Sequence, residues 1–508
     1  MANKIDSNVT GFRIAEEGSL GELPGSPVWR ELEPNSYSDF GGQISTVSRS
    51  PITQDRQRRK GTVSDLDASG GFNHDLTQDN LADLLQGLFF ADIRDKGRVS
   101  ELGSVNGTDD KYVKTGAFGD YDTDGGDLVF ARDFAETGNN GLKVTSSATT
   151  DDITVTTSLT EASSPNAEGF VERVGYEFAD QELEVDASSG PLPKLVKDST
   201  SGQKDFTTLG LVPGEFIYIG GDVSNSKFGT NSANNGWKRV HSVTADEIVL
   251  DKSQKAMVDE DPSSTSKIRI FFGRVLRNEE DPSLITRRTY QIERTLGKDS
   301  NGTQSEYLVG SVFGQMGVSI PQADKITIDP SFTAIDHEQR DGSQGVKSGD
   351  RPDARVTDAF NTSSDFTRLR LAKVSEDNEA PEPLAAFLTE LNLTINNNVT
   401  ANKAIANLGA IDVTAGDFVV NGSTTAYFTT VAAVQSVRNN ADVTLDFVLS
   451  KFNAGIALDV PLLTLGDGRA NVQKDQPITL PLNVEGAKSS FGHTALMCIF
   501  DYLPDVAE

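Results

Sequence analysis

The same order of structural signals occurs twice in this chain, once in its first third and once in its last third. Gly71-Phe72 leads through Leu76 into a helical pattern with Leu81, Leu84, Leu85 and Leu88 on one face. Gly422 leads through Tyr427-Phe428 into a shorter one carrying Val431, Val434 and Val437. Three strand-like runs follow each helix. In the later copy they are Leu445–Leu449, Ala457–Leu465 and Ile478–Val484. In the earlier copy, after a long interruption, they are Tyr290–Leu296, Tyr307–Phe313 and Ile326–Phe332. The closing runs share local text, Ile326-Thr327-Ile328 and Ile478-Thr479-Leu480. A duplicated supersecondary unit is the mark of repetitive or pseudo-symmetric assemblies. It points to a building block rather than to a single catalytic pocket.

The first unit starts near Val28-Trp29, alternates around Gln43–Val47, runs through a polar loop from Ser50 to Lys60 and returns from Val63 to Phe72. The second starts at Phe366-Thr367-Arg368-Leu369 and alternates cleanly over Leu391–Asn396, so one face packs and the other stays wet. A second long polar loop, Asn396 to Leu408, precedes its return through Ile411–Val420. Both loops exceed the roughly 2–5 residues of ordinary hairpins; loops of this length are commonly functional or disordered, and their presence in both copies favours function. Thr77 is the expected N-cap of the first helix, with Asp79 at the positive end of its dipole. The Gly-, Ser-, Asp- and Arg-rich stretch from Asp336 to Asp358 reads as the connection between the units.

Between Leu102 and Asn278 a second, smaller repeat appears. Gly126-Asp127-Leu128, Asn140-Gly141-Leu142 and Asp152-Ile153-Thr154 are echoed by Gly214-Glu215-Phe216, Asn235-Gly236-Trp237 and Glu247-Ile248-Val249. Asn-Gly is the strongest short-range turn signal, because both residues tolerate positive φ. This region is read as small β-modules inserted at a surface loop of the first unit. The fold class is therefore mainly β: two β-sandwich domains, each with a flanking helix, plus the inserted modules. The expected divisions are 1–100 and 280–345 for the first domain, 101–279 for the insert, 346–358 for the linker and 359–508 for the second domain.

Composition narrows the functional classes. No apolar stretch approaches the roughly 18–20 residues of a membrane-spanning helix, and Met1–Asp6 lacks the apolar core of a secretory signal, so a soluble protein is expected. Cys498, the one cysteine, lies in the apolar run Leu496–Phe500 and reads as a small buried hydrophobe; a thiolate zinc site and an intrachain disulfide are excluded. His74, His241, His337 and His493 have no metal spacing. Asp120-Tyr121-Asp122-Thr123-Asp124-Gly125 starts like a calcium loop, but Ala131 stands where a bidentate Glu is needed, so it reads as an acidic turn. No phosphate-binding glycine loop or nucleophile elbow is present. The chain is read as a non-enzyme without cofactor or metal. Its net charge of -29 reads as an ordinary acidic surface or, more sharply, as a surface that must not hold nucleic acid, since phosphate binding draws on counterion release by Lys and Arg. The basic cluster Arg56, Arg58, Arg59 and Lys60 in the first long loop lacks aromatic interleaving. It reads either as a solvated loop tip or as a contact with an acidic surface of a neighbouring subunit, which fits an acidic assembly better than nucleic acid does.

The stretch from Glu390 to Phe428 resembles the second tube domain of a family of bacteriophage tail tube proteins from long, non-contractile tails. Gly70–Ile93 and Arg288–Leu296 resemble its first domain, and Gly214–Val223 and Asn139–Val144 its insert. The resemblance implies rings stacked around a channel that viral DNA passes without specific binding. With two tube domains per chain it implies three copies per ring and approximate six-fold symmetry. The partners implied are further copies of the chain and the tape-measure, terminator and distal tail proteins, with no membrane; the place is the virion tail, after synthesis in the host cytoplasm. The loops would reach the adjacent ring through Arg56, Arg58, Arg59, Lys60, Asn398, Asn402 and Lys403, while Asn392, Thr394 and Asn396 would face the channel. The competing reading is an adhesive or glycan-binding surface protein built from small acidic β-modules.

Overall fold

The computed structural model describes residues 9–507 except 56, 79–80, 166–168, 199–203, 254, 263–264, 300–301, 355–356, 375–381 and 385–386. It is mainly β, with two large antiparallel sheets and two α-helices. The first copy of the repeat supplies β1 (Gly11–Glu16), β2 (Ser36–Ser48), β3 (Gly61–Asp75), α1 (Ala82–Phe89), β4 (Tyr290–Asp299), β5 (Gly302–Ile320), β6 (Thr327–Ala334) and β7 (Asp336–Arg340). The second supplies β8 (Phe366–Lys373), β9 (Leu388–Asn396), β10 (Val419–Tyr427), α2 (Ala432–Arg438), β11 (Val443–Lys451), β12 (Ala454–Asp467), β13 (Thr479–Gly486) and β14 (Leu496–Phe500).

The two sets pair by one scheme. In the first, β1 pairs β4, β2 pairs β3, β3 pairs β6, and β5 pairs β4, β6 and β7. In the second, β8 pairs β11, β9 pairs β10, β10 pairs β13, and β12 pairs β11, β13 and β14. The correspondence reaches single side chains. Arg13 stands opposite Glu293 in the first set, and Arg370 opposite Asp446 in the second. Both carboxylates are fully buried. Gly422 is needed because a Cβ there would lie 2.3 Å from the Asn392 carbonyl oxygen; its counterpart Gly70 is hemmed by Phe40 and Leu308.

β5 and β12 are long because each serves two layers, so each set folds as two packed layers. One hydrophobic core runs through both sets, from Phe12 and Phe72 to Leu482 and Met497, with the α1 residues Leu81, Leu84, Leu85 and Leu88 inside it. Residues 99–272 supply all the strands of the second sheet. That sheet packs on β11, β12 and β14 through Phe216, Phe271, Val448, Ala457 and Cys498, the last fully buried with its thiol pKa pushed far up by burial. Beside this apolar contact, Arg239 donates to Thr444 at 2.8 Å and to Asp459 at 2.5 Å. Asp446 receives Arg370 at 2.5 Å and also Arg368. Burial alone would raise the Asp446 pKa, but Arg370, Arg368 and Arg239 hold it below the carboxylate range.

Several local expectations need correction. The first set begins at Gly11, ahead of Val28-Trp29, because β1 carries its own alternating Phe12 and Ile14. Thr77 is not the cap of α1: the helix starts after Leu81, and the Thr77 hydroxyl is buried without a hydrogen-bond partner. Leu76 is held extended there, its N–H donating to Ile326 and its carbonyl accepting from Phe360. Asp79 lies outside the described residues. The stretch read as a connection from Asp336 opens with β7, and Arg351 within it clamps Glu293 at 2.7 and 2.8 Å. The second polar loop contains a strand, Thr400–Lys403, paired with Ala410–Thr414. Among the described residues, no helix is long and apolar enough to cross a membrane.

Asp446→Ala would leave three guanidinium groups around a vacated buried site. Loss of one partner of a buried ionic cluster costs about 3–5 kcal/mol. Urea unfolding followed by tryptophan fluorescence should show that loss; a change below about 1 kcal/mol would mean that the cluster does not hold the second sheet to β11 and β12.

Candidate functional site

β5 of the first set also pairs β9 of the second, with Gln315 opposite Asn396 and Ile320 opposite Leu391. It joins the inner layers of the two sets into a continuous sheet of eight strands, β2-β3-β6-β5-β9-β10-β13-β12. Alternation decides its two faces. Ile328, Val318, Leu391, Leu393, Ile395, Leu482 and Val484 point into the core. The opposite face is open and polar.

Side chains on that face line up in rows across the strands. Asp75, Thr327, Ser319, Asn392, Ser423 and Asn483 form one row. Asp329, Gly317, Thr394, Asn421, Glu485 and Thr464 form the next. Asn392 is exposed, and Thr394 and Asn396 are half-buried. None of the eight strands contains a single Lys or Arg. Two ammonium groups from outside the strands reach the sheet at β3, and both are held by carboxylates: Lys325, just ahead of β6, is bound to Asp75 at 2.8 Å, and Lys403 to Asp65 and Asp67. Burial pushes the Asp75 pKa up, but hydrogen bonds from Lys325 and Asn35 outweigh it and keep the group ionised. A phosphate chain along this face meets hydroxyls, amides and carboxylates. The strands offer it no Lys or Arg with which to exchange counterions, and the two lysines at β3 are already paired with carboxylates.

The loop residues separate from this face. Arg58, Arg59 and Lys60 lie exposed at the turn between β2 and β3, where Arg59 pairs with Asp55 at 2.9 Å. Arg56 lies outside the described residues. In the other arm, residues 397–418, Asn398 donates to the Asp417 carbonyl at 2.8 Å and Asn402 to the Thr414 hydroxyl. Lys403 binds Asp65 and Asp67 of β3, both at 2.5 Å, and these hydrogen bonds raise its pKa. The structure thus brings Lys403 to the first arm's acidic strand rather than to its basic turn. Apolar side chains stand out on both arms: Ile44, Val47, Ile52 and Val63 on one, Ile405, Leu408 and Ile411 on the other.

Sequence reasoning found three residues of the polar face and missed Asp329, Ser423, Asn483 and Glu485. Their strands alternate legibly, but the order in which they pair does not follow from local pattern. The one available signal was the absence of Lys and Arg from every one of these runs. The acidic turn of the second sheet is occupied by protein cations. Asp122 takes Lys204 and the Tyr176 hydroxyl, and Asp127 lies 3.4 Å from Arg173. A cavity of 1,040 Å³ beside it is lined by Asp122, Lys204, Tyr176 and Arg173 among others. Among the described residues, no group of His, Cys, Asp and Glu could hold a metal ion.

The sheet is broad, covered on one face by the second strand layer and the helices, and on the other built from strands without Lys or Arg; it offers an extended polar surface rather than a pocket for chemistry. The chain belongs to the phage tail tube protein family, whose model matches residues 7–486. No curated protein matches it. It is a structural protein of the virion tail, not an enzyme, and its family assembles into a tube.

Placing Lys at Asn392, Ser423 and Asn483 together should convert the face into a polyanion binder. At about 50 mM salt the parent chain should not retard duplex DNA. The triple variant should, with a log–log salt slope of about −0.9 per phosphate contacted. Retardation of the parent protein at that salt would contradict the reading of the face.

Proposed function

We propose that the eight-stranded face is the wall of the tail channel and that each strand set is one tube domain of a tandem pair. The observation that carries this is the β5–β9 pairing. Within the chain it joins the first set to the second, and it leaves two edges, β2 and β12, without a partner strand on their outer sides among the described residues. An open edge of 13 residues is an association hazard unless another strand covers it. By the duplicated scheme β12 corresponds to β5 and β2 to β9, so β12 of one copy would take β2 of the next. The registers carry over: Gln315 faces Asn396 within the chain, and Gly466 would face Gln43 between copies. A heterologous contact of this kind closes into a ring when the rotation allows.

Six domains per ring, as the family resemblance implies, need three copies. The insert 101–279 decorates the outside of the ring, since its sheet packs on β11, β12 and β14, away from the polar face. The exposed arm tips at Ile52 and Ile405 reach the ring above or below, together with Arg56, Arg58, Arg59, Lys60, Asn398 and Asn402. Lys403 tethers one arm to the other. The tube belongs to a long, non-contractile tail. It holds the tape-measure protein before ejection, meets terminator and distal tail proteins at its ends, and lets DNA slide through without binding.

Native mass spectrometry of the smallest assembled species tests the stoichiometry. The expected masses are multiples of three 54.5-kDa chains. Closed species of two or four copies would overturn the three-copy ring.

A further inference from the structure

In the first set, the stretch just ahead of β8 crosses the end of the sheet as a strap. Phe360 donates its N–H to the Leu76 carbonyl at 3.0 Å and accepts from the Ile326 N–H at 2.9 Å. Thr362 continues it by donating to the Asp324 carbonyl at 2.9 Å. Under this strap everything is dry: Phe360 and Ile326 are 0% exposed, Leu81 1% and Leu76 4%.

The same place in the second set is uncovered. Phe428 corresponds to Leu76 and Ile478 to Ile326, and the bond between them is repeated, with the Phe428 N–H donating to the Ile478 carbonyl at 2.9 Å. No counterpart of Phe360 sits there among the described residues. Ile478 is 37% exposed, Val431, the counterpart of Leu81, is 62% exposed, and Phe387, whose carbonyl accepts from Tyr427 at the end of β10, is 67% exposed. Three large apolar side chains open at one end of one sheet form a patch that a monomeric protein rarely leaves to water.

We infer that this patch is a docking site for a second copy of the chain, and that its occupant is the stretch ahead of β1, residues 2–8. The strap in the first set leads directly into β8, and β1 is the counterpart of β8, as the matched pairs Arg13–Glu293 and Arg370–Asp446 fix. Counting back from Arg13 as Phe360 counts back from Arg370 reaches position 3, two residues from the apolar Ile5. The inference rests on the ring reading, in which β1 of one copy stands to the second set of its neighbour as β8 stands to the first set of its own chain. The strap would add backbone hydrogen bonds at the Ile478 N–H and the Phe428 carbonyl and cover Val431 and Phe387. It would latch each copy to the next at a point separate from the β12–β2 edge.

Two measurements test this on the full chain. Removal of residues 2–8 should leave a folded monomer by circular dichroism and raise the concentration needed for tube assembly at least about ten-fold. Ile5→Cys with Ile478→Cys, oxidised by copper phenanthroline in assembled tubes, should give a covalent ladder ending at three linked copies. Neither single variant should do so, because Cys498 is buried. Assembly of the truncated chain at the parent concentration overturns the strap, and so does a doubly substituted tube that yields only monomer or an internally linked chain. If the parent chain itself forms no closed rings, the ring reading fails instead.

Discussion

Backbone groups at a sheet edge must find partners, and in this chain that demand is met at the middle by β5 against β9. Without that join there would be two four-stranded layers, each with two open edges. With it there is one continuous wall with a single core behind it. The same pairing sets the register of the rows on the polar face, because it aligns Ser319 with Asn392 and Gly317 with Thr394. A slip of one residue would turn Leu391, Leu393 and Ile395 outward and Asn392 and Thr394 inward. The face and the fold are therefore consequences of one ladder.

The two sets are not equally finished. Glu293 is neutralised by Arg351 and the Tyr307 hydroxyl, groups of its own neighbourhood, whereas Asp446 shares Arg239 with the second sheet. Likewise α1 is covered by the strap at Phe360 and by the arm, where Asn397 donates to the Leu88 carbonyl at 2.9 Å. α2 has neither. Under the proposed ring, this asymmetry between the two sets would belong to the isolated chain alone. In a closed ring both halves would see the same surroundings.

The duplication was legible in the sequence because it is written in local pattern: Gly71-Phe72 with Leu76, the leucine stripe of α1, and the paired Ile326-Thr327 and Ile478-Thr479. Asn392, Thr394 and Asn396 were legible for the same reason, since period-two alternation tells one face from the other. What could not be read was long-range. No local signal places β9 beside β5, so the rows through Asp329, Ser423 and Glu485 stayed hidden. The Thr77 cap failed because tertiary bonds at Leu76 keep the chain extended past a residue that would otherwise start a helix. The arm hairpin at Thr400–Lys403 escaped because its residues, Thr400-Ala401-Asn402-Lys403, carry little apolar alternation.

The measurement that bears most directly on the account is a cryo-electron microscopy map of the assembled protein at side-chain resolution. The account predicts three-fold rings whose inner wall is one uninterrupted sheet, with Gln43 of one copy opposite Gly466 of the next and with Asn392, Ser423 and Asn483 lining the bore. A wall broken between copies, or a bore lined by Lys and Arg from another part of the chain, would contradict it.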